Sequence, residues 1–406
     1  MAGVWLELSF FVMVTRLKIN AYFCMAKHWM RESLGFVVCG LLIMVGAGPA
    51  LAQPADAGPQ AASGTAAAST PSVRPRPRPM TRVPRVIGRL HAGDLGLVIN
   101  TADPYSVEVG EYYRRVRRIP DGHVLRIDLP VQSRLSVADL ERLRRRIDEQ
   151  FDGGVQALAL AWVQPHAVEC QSITSAVTLG FDAQACEQPC GRRPVSPYFN
   201  SASAAPFKDL GLRPSMLLAA SDADRARRLI DRGASSDHTL GLVGAAPVQA
   251  HFMTTADAAR SVRSSLFPPA GLQRRIGLEN HLGHGDLPRE TSRVVLVQTG
   301  VAQFLGADAI DWVPGALADH LTSFGGQLDR TGGQSTVLDW LDAGATASYG
   351  TVSEPCNHLQ KFPHPQILLL HYLQGSTALE AYWKSVAWPQ QGVFVGEPLA
   401  APFARQ

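Results

Sequence analysis

Short apolar runs alternate with amphipathic segments along most of the chain after residue 90. Leu95 to Asn100 (LGLVIN) reads as a strand, and Val107 to Arg118 follows with helical spacing. Val124 to Leu129 is a second strand. Ser136 then opens a helix that turns Leu140 and Leu143 inward and its arginines outward. Val155 to Trp162 (VQALALAW) is a third strand. Strands this short and this apolar are buried on both faces, which predicts a parallel sheet covered by helices.

From Gln164 to about Glu290 the pattern is less regular. This stretch holds a cysteine cluster and the turn-rich PYFNSASAAPF, then a strand at Met216 to Ala220 and a helix at Asp222 to Arg232 with an acidic cap. Regularity returns with Arg293 to Gln298 (RVVLVQ). The spacing then predicts helices at Leu317 to Ser323 and Gln334 to Ala343, a strand over 346–352, and helices at Pro365 to Leu373 and Ser376 to Val386. The expected class is α/β: a parallel, doubly wound sheet with helices on both faces, and an irregular insertion at about 164–290. Residues 86–406 then form a single domain. No fixed-period repeat and no heptad is present.

Composition supports a globular reading. The 406 residues are 46% hydrophobic and 18% charged, enough to bury a large core. A net charge of +3 provides no field that would favour nucleic acid, and the local excess is the five arginines of VRPRPRPMTRVPR at 73–85. Residues 53–85, rich in Ala, Pro, Gly and Ser and then alternating Arg with Pro, read as a linker that cannot bury a core.

The N-terminus points to export. Positive charge at 26–32, an apolar run from Ser33 to Ala47 and Ala50-Leu51-Ala52 after Pro49 make a secretory signal, with cleavage before Gln53. The apolar run falls short of the roughly twenty residues that span a bilayer, so no stable span is expected after cleavage. Residues 1–24 lie upstream of a complete signal; the start is read as Met25 or Met30, with Val4 to Val14 as an alternative second apolar segment. The expected location is periplasmic or extracellular.

Export leaves Cys170, Cys186, Cys190 and Cys356 in an oxidising compartment, where an even count signals disulfides. A bond within the 170–190 cluster is favoured, and the partner of the remaining cluster cysteine stays open.

Several signatures are absent: no G-x-S-x-G elbow, no H-E-x-x-H helix, no phosphate loop and no G-x-G-x-x-G after a strand. No cofactor is implied. His281, His284 and Asp286 in HLGHGDL offer metal-type ligands, but the segment reads as a surface turn and no metal site is assigned.

The strongest cluster of chemistry is SEPCNH. At the mouth of the 346–352 strand it sets Glu354, Cys356, Asn357 and His358 side by side, where open parallel sheets bind ligands. Cys356 is a candidate nucleophile, with His358 or His364 as base and Glu354 as orienter. In an extended segment, Glu354, Cys356 and His358 would share one side. The competing reading is structural, with Cys356 as half of a disulfide.

The stretches ADHLTSFGGQL, GQSTVLDWLDAGATASYGTVSEPCNH, KFPHP and LEAYWKSVAWPQQGVFVGEPLAAPF, with SVEVGEYYRRVRRIPDGHVLRIDLP and RPSMLLAASDADRARRLIDRG earlier, resemble a family of exported bacterial proteins of about four hundred residues and unknown function. More distantly, the helix, the GA-x-A strand and the G-E-P-L close are similar to the caspase-like α/β fold of gingipain-type cysteine peptidases. In that fold a catalytic His-Gly follows one strand and a catalytic Cys the next. Those positions fall here at Thr299-Gly300 and near Thr322-Ser323-Phe324, so the resemblance implies the fold without its dyad. Thr299, Gly300, Ser323 and Asn357 become candidate binding residues. Two functions stay open: a noncatalytic envelope or extracellular protein that binds a peptide, a glycan or an envelope component, and a hydrolase that uses Cys356.

Overall fold

The run LGLVIN forms strand β1 (Leu95–Asn100), all six residues buried, because apolar side chains alternate onto two covered faces. The structure is a computed structural model and describes residues 81–330 and 332–405. The signal at 1–52 and nearly all of the 53–85 linker lie outside the described residues.

The remaining strands in chain order are β2 (Val124–Ile127), β3 (Arg134–Leu135), β4 (Ala157–Leu160), β5 (Ala167–Val168), β6 (Gln171–Ser172), β7 (Ser215–Leu217), β8 (Val248–Thr254), β9 (Gly271–Gln273), β10 (Leu278–His284), β11 (Val294–Thr299), β12 (Trp312–His320), β13 (Ala347–Thr351) and β14 (Gly392–Gly396). Eleven of them make one sheet in the order β2-β1-β4-β7-β14-β13-β12-β11-β8-β10-β9, and β3-β5-β6 form a small second sheet.

The helices are α1 (Pro104–Arg117), α2 (Val137–Gln150), α3 (Ile173–Leu179), α4 (Ala183–Glu187), α5 (Pro206–Leu210), α6 (Ala223–Ser236), α7 (Val337–Ala343), α8 (Pro365–Leu373) and α9 (Ala378–Ser385). Their starts follow the capping chemistry of the sequence: Asp103, Ser136 and Asp222 each accept a hydrogen bond from a backbone N–H of the first turn. One core beneath the sheet contains Val109, Tyr113, Ala226, Ile230, Leu368, Leu379 and Trp383. The other contains Leu140, Leu143, Ile173, Val177, Val337 and Leu341, so helices cover both faces as expected.

The sheet is mostly parallel, but in two blocks of opposite sense. β2, β1, β4, β7 and β14 run parallel to one another. β13, β12, β11, β8 and β10 do the same. They meet where β14 lies antiparallel to β13. The carboxyl ends of the two blocks therefore open on opposite edges of the sheet. The 164–290 stretch expected as an insertion is part of this sheet, because it supplies β7, β8, β9 and β10.

The helix expected at 317–323 is instead the end of β12. Leu317, Ala318, Asp319 and His320 are all buried between β11 and β13, and a strand alone satisfies their backbone on both sides.

Two of the family-like motifs are structural. Gly350 in ASYGT packs on Gly325-Gly326, where a Cβ would come within 2.5 Å of the Gly325 carbonyl carbon. The GEPL close places Glu397, fully buried, against Arg117, whose Nε and Nη2 donate to its two oxygens at 2.9 and 2.6 Å; the Tyr113 hydroxyl adds a third bond at 2.7 Å. This pins the end of β14 to α1.

Candidate functional site

The segment after β13 is not extended. Cys356 and Asn357 both take left-handed backbone, at φ +57° and +55°, so the chain turns back at that point. Asn tolerates this conformation; for Cys it costs on the order of 1 kcal/mol, and the surrounding bonds must hold it. The Cys356 N–H donates to Glu354 Oε1 at 2.8 Å, and Gln391 Nε2 donates to the Glu354 carbonyl at 2.6 Å. The Ser353 hydroxyl donates to the Cys170 carbonyl at 2.6 Å.

Cys356 is bonded to Cys190, and Cys170 to Cys186. The two disulfides act in series. The first ties α4 to the chain just before β6, and the second ties the loop after α4 to SEPCNH, 166 residues away in sequence. Around the second bond, His358 Nε2 hydrogen-bonds the Cys190 carbonyl at 2.9 Å, and its ring lies 5.6 Å from that of Trp388. Lys361, buried, donates from Nζ to the Pro189 carbonyl. Burial and the nearby Arg193 lower its pKa to about 8, against the opposing pull of Glu354.

The predicted catalytic set is therefore brought close in space but committed elsewhere. A bonded Cys356 holds no thiolate to attack with, and His358 and Glu354 engage the backbone of the loop rather than a sulfur. Convergence of Glu354, Cys356 and His358 on one side of an extended strand is replaced by a turn. Asn357 is exposed at its tip.

The second group of expected residues lies at the carboxyl ends of β11 and β12. Thr299 is buried, and Gly300 is covered: a Cβ there would sit 2.1 Å from the Arg260 carbonyl oxygen. Thr255 Oγ1 donates to the Gly300 carbonyl at 2.6 Å. Residues 255–266 thus lie over the position where a His-Gly would follow β11. Ser323 is half-buried, and its carbonyl accepts the Thr351 hydroxyl at 2.9 Å.

Beneath them is a buried polar group that the sequence reading missed. Asp319 on β12 is fully buried; it accepts Arg263 Nη1 at 2.5 Å and Gln298 Nε2 at 2.8 Å. Burial raises its pKa in spite of both partners. Arg263 also donates from Nη2 to the Thr299 carbonyl at 3.0 Å. Next to it, His320 Nδ1 accepts Trp340 Nε1–H at 2.9 Å, so its Nε2 carries the proton and donates to the Ser335 carbonyl at 3.0 Å. Burial drives its pKa down to about 4 and keeps it neutral. Both nitrogens are spent on structure, and none is left to serve as a base. An Asp-His pair inside the apolar run LADHL was the available signal.

His281 and His284 lie on β10 rather than in a surface turn. His281 stacks on His251 with ring centroids 4.7 Å apart, and His284 Nδ1 bonds Thr254 Oγ1 at 3.2 Å. Among the described residues, no three ligating side chains are placed to hold one ion. No helix there is long and apolar enough to cross a membrane.

Open space remains at two places near these residues. A cleft of about 440 Å³ with mixed polar and apolar walls is lined by Gln303, Phe304, Leu305, Asp308, Arg330 and Gln334, among others. Gln334 links it to the covered crevice, because its Oε1 accepts both the Thr322 hydroxyl and the Phe324 N–H. An apolar cavity of about 310 Å³ lies beside SEPCNH, with Leu359, Phe362 and His364 among its walls.

No family model matches the chain, so the resemblance to an exported family gains no support there. No curated protein matches it either. Among solved structures, the Arg-specific cysteine proteinase gingipain R is similar over 78% of this chain and 79% of that chain, at 11% identity and a TM-score of 0.42. A likeness this remote carries no argument about activity.

Proposed function

We propose that this chain is a noncatalytic binding protein of an oxidising, extracytoplasmic compartment, with the peptidase-like arrangement that the sequence suggested but no working His/Cys dyad. The Cys190–Cys356 disulfide carries this reading, because it consumes the one cysteine placed for catalysis. Supporting it, Gly300 is covered by 255–266 and both nitrogens of His320 are engaged. The cleft at Gln303, Phe304, Leu305, Asp308, Arg330 and Gln334 is open, and its mixed polar and apolar walls suit a segment of a peptide or glycan. Signal-directed export provides the compartment in which two disulfides persist.

The test is a hydrolysis assay of the oxidised, full-length protein against a mixed peptide library, before and after treatment with a thiol-directed alkylating agent. No turnover in either sample is expected. Turnover that alkylation abolishes, and that Cys356→Ser also lacks, would establish the cysteine-hydrolase alternative.

A further inference from the structure

A cavity of about 400 Å³ opens between the loop after α6 and the end of the described chain, with Leu240, Leu242, Val243, Ile276, Leu373 and Phe403 as its apolar walls. His238, Arg275 and Arg405 form its polar side, and no aspartate or glutamate is among its described walls. Leu242 is 58% exposed and Val243 wholly so. Their loop is braced: the His238 N–H donates to the Ala401 carbonyl at 3.3 Å and the Leu240 N–H to the Pro402 carbonyl at 2.9 Å, while the Ala245 N–H closes a turn on the Leu242 carbonyl at 3.2 Å. The backbone thus holds Leu242 and Val243 out in solvent. Ile87, 81% exposed, belongs to the same patch. The Val86 N–H donates at 3.0 Å to Oε1 of Gln374, the neighbour of the wall residue Leu373. Arg89 Nη2 donates at 3.3 Å to Nε2 of His238, whose Nδ1–H donates to the Ala404 carbonyl at 2.9 Å. Ile87 is therefore tethered on both sides to the cavity wall.

Single exposed apolar side chains are ordinary on a protein surface, but three around one apolar cavity form a patch that marks an interaction site. A small molecule inside the cavity would leave Val243 and Ile87 in water, whereas an extended apolar phase would cover them. The charge around the patch has one sign. Arg85 and Arg89 flank Ile87 in the chain, and Arg275 and Arg405 are exposed walls that pair with no acid among the described residues. We propose that this face docks on an anionic lipid bilayer, with Ile87, Leu242 and Val243 entering the acyl boundary and the four arginines lying against head-group phosphates. Guanidinium suits this task, because its planar fork of donors matches phosphate oxygens and it is weakly hydrated. The contact is attachment to a surface rather than a span. This face shares no residue with the cleft at Gln303 and Arg330, so the inference stands apart from the function proposed for that cleft.

Sedimentation of the protein, isolated from an oxidising compartment, with vesicles of phosphatidylcholine with and without phosphatidylglycerol tests it. Binding is expected only where phosphatidylglycerol is present. The double variant Leu242→Ser, Val243→Ser should weaken it at least about tenfold, and Arg275→Gln or Arg405→Gln roughly fivefold each. In Val243→Trp, the new indole emission should shift to the blue when the anionic vesicles are added. These four side chains are exposed, so the variants keep the fold. Absence of binding, equal binding to both kinds of vesicle, or binding that the double serine variant leaves unchanged would each overturn the proposal; the last would assign the affinity to another basic segment such as the arginine-proline linker. A dimer in solution that the double serine variant dissociates would also overturn it, because the patch would then be covered by a second copy of the chain.

Discussion

Cys356 and Asp319 are the two residues whose chemistry depends most on a partner distant in sequence. Cys356→Ser removes a bridge that closes a long loop, and the expected loss is about 2–5 kcal/mol of unfolding free energy, read by urea denaturation. A change below about 1 kcal/mol would mean that the 190–356 bond does little for the fold. Arg263→Met leaves Asp319 buried without its counter-charge, which costs about 3–5 kcal/mol. The double variant Arg263→Met, Asp319→Leu should recover much of that loss, because the expense lies in the stranded carboxylate rather than in the missing pair. Equal destabilisation by the single and double variants would refute this.

At the scale of elements, Gly350 and Gly325-Gly326 set how closely β13 approaches the loop after β12. Gly350→Ala forces a methyl group against backbone that cannot swing away, and a loss of about 1–3 kcal/mol is expected in the same denaturation experiment. Much of the element pattern was legible in the sequence. β1, the caps at Ser136 and Asp222, and the helix at Pro365 to Leu373 follow from local periodicity and capping, which neighbouring residues decide. β12 was not, because Leu317 and Leu321 fall at i and i+4 and imitate a helix. What makes the segment a strand is the burial of Asp319 and His320, paid for by Arg263, Gln298 and Trp340 from other parts of the chain. The candidate site was legible in the same partial way: SEPCNH was found by residue type, but neither its turn nor the partner of Cys356 leaves a local trace.

Over the whole molecule, the opposed blocks separate the two carboxyl edges of the sheet, and Glu397 and Cys356 end up with different structural tasks. Buried histidines are spread through the fold. Desolvation lowers His166, His251, His320 and His364 to about 4 and His371 to about 3, from 6.5 in the unfolded chain. Each is held neutral when folded, so the unfolded chain binds more protons below pH 6.5. Their contribution is fully present above that pH and is lost as pH falls towards 4, at up to about 1.4 kcal/mol per pH unit for each. The melting temperature should fall steeply as the pH drops from 6.5 to 4. A flat profile through that window would show that these histidines titrate normally.

SEPCNH is a turn locked by the Cys190–Cys356 disulfide, which leaves Cys356 no free thiol to act as a nucleophile. Peptide mapping by mass spectrometry of protein isolated from an oxidising compartment, alkylated before any reductant is added, tests it most directly. A Cys190–Cys356 linked peptide is expected, with Cys356 unalkylated. Quantitative alkylation of Cys356, with Cys190 bonded elsewhere or free, would contradict it.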